Sequence, residues 1–155
     1  MKRLICDPGM INFCYAVIQD ASVTDFNISK IRRCAVISDT VALIKEAIEK
    51  HAPDEIIVEL QLWRNKACKE IEIAIRCACC VLNIACRAMS ARTKFKVLGM
   101  AIPSKHRERK KAMVNEVEKR LAENQLSLTP DVLDKYRSLK KKDDLCDCIM
   151  MGLTL

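Results

Sequence analysis

Four acidic residues have neighbours and spacing that could do chemistry: Asp7 at the head of Asp-Pro-Gly, Glu59 at the end of Ile-Ile-Val-Glu, and Asp144 and Asp147 near the C-terminus. Gathered without imidazole or thiolate, they would form an all-oxygen pocket, the environment that magnesium prefers. Two such ions about 4 Å apart can activate a water, stabilise a leaving oxygen and offset the charge of a phosphate in transfer. Hydrolysis of a phosphodiester is the chemistry this set suits, with the acids holding metal rather than acting as general bases. Left unpaired they would repel one another, so the metal-free site should be electrostatically destabilising.

Each acid alone also has an ordinary explanation. Asp7 could start a turn, Glu59 could be a solvated strand end, and Asp143 and Asp144 could complement a helix dipole. Only the ordered set argues for a site, and it depends on the elements that position it. Arg3–Cys6 reads as a strand stopped by a turn, and Phe13–Gln19 as its hairpin partner. Ile28–Ile37 reads as a third strand, followed by a helix capped by Asp39 or Thr40 and ending near His51-Ala52-Pro53. Glu55–Glu59 has the continuous apolar character of a strand covered on both faces.

From about Asn65 to Ser90 the pattern is helical and apolar almost all round. Ile71, Ile75, Ala78, Leu82 and Ala85 form one stripe, and Ile73, Cys77, Cys80 and Ile84 the opposite one, with a narrow polar strip that includes Glu72 and Arg76. Such a helix must be covered on two sides, which implies a second helix or a second subunit, and a homodimer is expected. Lys94–Ile102 reads as a fifth strand and Arg107–Asn124 as an amphipathic helix. Leu126–Lys142 is a basic connection with a turn at Thr129-Pro130, and a short helix begins near Asp143, placing Asp144 and Asp147 on one face. The expected class is α/β: a five-stranded mixed sheet flanked by helices, in one domain over residues 1–155.

The chain carries a formal charge of +7, concentrated in Lys105–Lys111 and Lys135–Lys142. Clusters of this kind neutralise phosphates with little regard to sequence. With one Trp, two Tyr and three Phe, stacking surface for single strands is scarce, so duplex or branched DNA suits the composition better. Asp7 breaks the N-terminal apolar run too early for a secretory signal, and Cys77–Cys86 is too short to span a bilayer. The crowding of cysteines into one helical pattern suggests a reducing cytoplasm. Cys77 and Cys80 lack a second pair for zinc and are read as buried thiols.

Asp-Pro-Gly at Asp7–Gly9, Ile-Ile-Val-Glu ending at Glu59, and the run Lys141–Gly152 (KKDDLCDCIMMG) resemble the motifs of RuvC-like resolvases, most closely the poxvirus branch. The resemblance covers nearly the whole chain. It implies an RNase H-like fold and a homodimer that cuts four-way DNA junctions, with Asp7, Glu59, Asp144 and Asp147 holding Mg2+, two ions per site with Mn2+ as a substitute. It also implies resolution of replicated genome concatemers in the host-cell cytoplasm. Asp143, four residues before Asp147, is the alternative to Asp144, and the family spacing favours Asp144. A lysine expected after the fifth strand to orient water or phosphate is assigned to Lys105, with Lys110 and Lys111 as alternatives. Gln61, Arg64, Lys105, Arg109, Lys110, Lys111, Lys140 and Lys141 are the expected DNA contacts, and Trp63 either touches the junction or packs the start of the long helix. The same residues leave open a ribonuclease acting on RNA–DNA hybrids, or a dimeric DNA-binding protein without a competent metal site.

Overall fold

The computed structural model describes residues 1–154. The chain opens with strand β1 (Lys2–Asp7), a turn through Pro8 and Gly9, and strand β2 (Phe13–Gln19), as the Asp-Pro-Gly signal predicts. Leu4–Cys6 and Phe13–Val17 are buried along their length, so both strands lie inside the sheet. Only glycine fits at position 9, because a Cβ there would stand 2.6 Å from the carbonyl oxygen of Asn12.

Strand β3 (Ser22–Ser29) follows a tight turn at Asp20 and Ala21, both at positive φ. The sequence reading places this strand too late, at Ile28–Ile37. Its true turn carries Asp20 as its one turn-forming residue, followed by an alanine, so composition signals it only weakly. Helix α1 (Val36–His51) starts earlier than expected and has no side-chain cap. Asp39, expected at the cap, lies in the first turn, where its carboxylate accepts from the backbone and guanidinium of Arg32. Strand β4 (Glu55–Glu59) is as expected, with Ile56–Val58 fully buried.

The long apolar segment divides into two elements. Helix α2 (Lys66–Val81) stops at Leu82, Asn83 turns the chain at φ 53°, and strand β5 (Ala85–Met89) forms the sheet edge. Asn83 is the one residue there that takes the left-handed conformation readily. The expected strand at Lys94–Ile102 is instead helix α3 (Ala91–Val97), capped by the Ser90 hydroxyl, which accepts from the Arg92 N–H. Helix α4 (His106–Ala122) follows. The connection after it contains strand β6 (Ser127–Leu128) and helix α5 (Pro130–Ser138), and the chain closes with helix α6 (Asp143–Leu153).

The sheet order is β5-β4-β1-β2-β3-β6, six strands rather than five because the two-residue β6 adds to one edge. The β1–β2 and β2–β3 pairs are antiparallel, while β1–β4, β4–β5 and β3–β6 are parallel. One sheet face packs Leu4, Phe13, Val17, Ile56 and Val58 against Ile44 of α1 and Ile71 and Ile75 of α2. The other packs Ile5, Ala16, Ile18 and Ile57 against Phe95, Met113, Tyr136 and the α6 residues Leu145, Ile149 and Met150. Among the described residues no helix is long and apolar enough to cross a membrane.

Helix α6 runs close across β1 and β2. A Cβ on Gly152 would meet Ile18 Cδ1 at 2.4 Å and Ile5 Cγ1 at 3.0 Å. Gly152→Ala should therefore lower stability by about 1–3 kcal/mol through overpacking, measured by chemical denaturation.

Candidate active site

The parallel pairing of β1 with β4 puts Cys6 opposite Val58, so Asp7 and Glu59 leave the same end of the sheet side by side. Helix α6 crosses that end and presents Asp144 from its first turn and Asp147 from the next. Two lysines stand between the acids. The Lys110 ammonium is 2.5 Å from Asp147 Oδ2, 2.8 Å from Asp144 Oδ1 and 3.6 Å from Asp7 Oδ2. The Lys94 ammonium donates to Asp147 Oδ1 and lies 3.7 Å from Glu59 Oε2. Asp147 thus bridges both lysines, and every acid of the set meets one of them. Asn12 adds its side-chain amide, which donates to Asp144 Oδ2 at 3.0 Å.

This centre carries less positive than negative charge, and its protonation reflects the deficit. Burial, and next the Glu59 carboxylate, push Asp7 up to about 8 against the partial offset of Lys110. Burial also raises Glu59, opposed by Lys94. Asp144 is held below the usual carboxylate range: burial would raise it, but hydrogen bonds and attraction from Lys110 and Lys141 outweigh that. Burial pulls both Lys94 and Lys110 down, and the surrounding carboxylates more than reverse it, keeping both charged.

The acids lie at the floor of a cleft of about 1020 Å³ whose lining includes Gln61, Arg64, Arg109 and Lys110. Lys105 is not among them: it sits at the start of α4, and its side chain is 79% exposed, 3.8 Å from Glu108. The position beside the acids belongs to Lys110 and Lys94. Lys110 is one helical turn and more beyond Lys105 and so faces inward. Lys94 escaped the sequence reading because its segment was read as a strand, and an almost fully buried lysine (4% exposed) is not expected without knowing its partners. Arg109 donates to the carbonyl oxygens of Pro103 and Ser104, fixing the approach to α4. Lys111, Lys140 and Lys141 are exposed, and Lys141 donates to Asp144 at 3.0 Å. Asp143 does not line the cleft; its nearest cation is Lys141 at 3.5 Å. Trp63 is 74% exposed, and the ammonium of Lys69, in the first turn of α2, lies 5.1 Å from its ring centroid. Cys77 and Cys80, read as buried, are exposed on the outer face of α2, and all ten cysteines are free thiols.

The donor set is wholly oxygen, as hard divalent cations require. Among the described residues no three acidic, histidine or cysteine side chains converge on one point; the ammonium groups of Lys94 and Lys110 occupy the space between the carboxylates. These ammoniums are stand-in cations, and burial and neighbouring carboxylates raise Asp7 and Glu59 in spite of them. In donor chemistry and charge, the residues fit a divalent metal.

A family model for the poxvirus A22 protein matches residues 4–155. No curated protein matches the sequence significantly. Among solved structures, the fowlpox virus Holliday junction resolvase superposes with a TM-score of 0.75 at 16% identity, over 99% of this chain and 97% of that one. The yeast mitochondrial Holliday junction resolvase Ydc2 gives 0.77 at 14% identity, over 98% and 76%. RuvC of Thermus thermophilus gives 0.65 at 14%, over 99% and 94%. The fold shared with these structures is the RNase H-like α/β fold.

The raised Asp7 has a consequence for stability. Between its ordinary value near 3.8 and about 8 the native state binds a proton that the unfolded chain has released, so metal-free protein loses stability as pH rises through that window. Asp7→Asn removes this cost. In chelator at pH 7 it should stabilise the fold by about 1 kcal/mol or more, with the gain shrinking toward pH 4. Urea denaturation of parent and variant across that range measures it.

Proposed function

The chain belongs to the poxvirus A22 protein family, and we propose that it is a structure-selective DNA endonuclease that resolves four-way junctions by metal-dependent phosphodiester hydrolysis. The observation that carries this reading is that Asp7, Glu59, Asp144 and Asp147 all line one cleft, bridged by Lys94 and Lys110, that also holds Arg64 and Arg109. Solved proteins of this fold include fowlpox virus resolvase and Thermus thermophilus RuvC in complex with Holliday junction DNA. The catalytic unit spans residues 1–155, works in a reducing host-cell cytoplasm, and serves the separation of concatenated viral genomes.

In the mechanism, the basic side chains hold the backbone. Arg64, Arg109, Lys111 and Lys140 meet phosphates of the arms and position the branch without reading bases. Lys110 reaches the cleft floor, where its ammonium can hold an oxygen of the scissile phosphate, the role expected of Lys105. Lys94 stays buried, its ammonium bonded to Asp147 and 3.7 Å from Glu59. Asp7, Glu59, Asp144 and Asp147 would hold Mg2+, two ions per site, with Mn2+ as a substitute. When bound, the metal supplies an activated water and charge stabilisation at the phosphate. Partial burial of Asp7 and Glu59 strengthens any charge interaction made there.

Symmetric resolution needs two such sites, and the dimer surface is assigned to the outer face of α2. Val81 is 84% exposed, Ile73 40% and the adjoining Leu82 41%, beside the exposed Cys77 and Cys80. An apolar face of this kind marks an association surface, and a two-fold axis through α2 would cover it with its own copy.

Cleavage of a labelled four-way junction in Mg2+ tests the activity, with linear duplex and RNA–DNA hybrid as controls. The junction should be cut, and Asp144→Asn should reduce the rate roughly 100-fold or more while leaving binding in place. Cutting of the hybrid instead would make the protein a ribonuclease, and binding indifferent to metal and to the acids would make it a DNA-binding protein. For the dimer, Ile73→Glu should weaken self-association by about tenfold or more, seen by sedimentation as a shift from dimer to monomer.

A further inference from the structure

Glu72 lies on the narrow polar strip of α2, yet its side chain is completely buried. A buried carboxylate persists only when its charge and lone pairs are met. Lys69 donates to Glu72 Oε2 at 2.8 Å and the backbone N–H of Gln61 donates to the same oxygen at 2.8 Å, while Arg76 approaches Oε1 at 3.4 Å. The Gln61 bond ties α2 to the loop leaving β4, two residues after Glu59, and the Gln61 side-chain amide donates back to the Glu59 carbonyl oxygen at 3.3 Å. Lys69 carries the same clamp further. Its ammonium, fixed by Glu72, stands 5.1 Å from the centroid of the Trp63 ring.

Buried ion pairs add little net stability over apolar residues of the same shape, and their better-attested use is to specify one geometry. Here one carboxylate sets both the backbone of the loop after Glu59 and the cation beside its exposed tryptophan. Neighbouring Gln61, Leu62 and Arg64 line the cleft. We propose that Glu72 is a positioning residue: through Gln61 and Lys69 it holds loop 60–65 in the conformation that meets branched DNA, and so sets the preference for junctions over linear duplex. The proposal rests on the junction-endonuclease reading for its substrate. The clamp itself does not.

Trp63 is the only tryptophan in the chain, so its time-resolved fluorescence anisotropy reports directly on this loop. Glu72→Gln preserves volume and an acceptor for the Gln61 N–H but removes the charge that holds Lys69. Trp63 should gain a fast local motion, and the KM for junction cleavage should rise about tenfold, the scale of one lost hydrogen bond to a charged group, with linear-duplex affinity unchanged. Because Glu72→Gln leaves a buried ammonium without a counter-ion, Lys69→Gln/Glu72→Gln is made beside it; it removes both charges and should show the same two changes in a folded protein. Unchanged Trp63 motion in a folded variant overturns the clamp, and equal loss of affinity for junction and duplex overturns its role in selectivity. If the parent cuts no junction, the functional reading fails, while the Trp63 motion still decides the clamp.

Discussion

Repulsion among like charges is the constraint on which this structure turns. Four carboxylates line one cleft, only partly exposed to solvent, and Lys94 and Lys110 stand between them. Each lysine serves more than one acid, and Asp147 serves both lysines. The balance is incomplete, and the remainder appears as protons kept on Asp7 well above its ordinary range. The electrostatic cost of a cluster short of positive charge falls when further positive charge is added to it.

Much of the fold can be understood as the support for that cluster. Parallel pairing of β1 and β4 sends two acids out of the same sheet end, and central placement of these strands buries the backbone beneath them. Helix α6 packs its apolar residues into the sheet and is thereby forced to carry Asp144 and Asp147 across the strand ends. Its N-terminal dipole favours Asp144 there in ionised form. On the same face, α3 and α4 pack Phe95, Met113 and Val117 into the core and deliver one lysine each to the cluster.

Helix α2 has two separate relations with its surroundings. Its inner face packs on the sheet and carries Glu72, which organises the loop beyond Glu59. Its outer face is left apolar and bare in the single chain, at Ile73, Cys77, Cys80 and Val81. One helix therefore borders the cleft on one side and carries the exposed apolar face on the other.

Local signals were enough for part of this. The Asp-Pro-Gly turn, the β4 run ending at Glu59, the α4 periodicity and the acidic start of α6 were legible because each depends on residues next to one another in the chain, and so was the set of acids. The β3 turn, the break between α2 and β5, and α3 were not. They rest on a turn in which Ala21, a residue without turn chemistry, follows Asp20 into the left-handed conformation, or on an apolar run whose helical and extended readings differ only in what covers it. Placement of Lys94 and Lys110 rather than Lys105 among the acids, and burial of Glu72 beneath the loop, were settled only by the tertiary structure. A charged side chain enters the interior when opposite charges from distant parts of the chain meet it there, and that meeting has no trace in its local sequence.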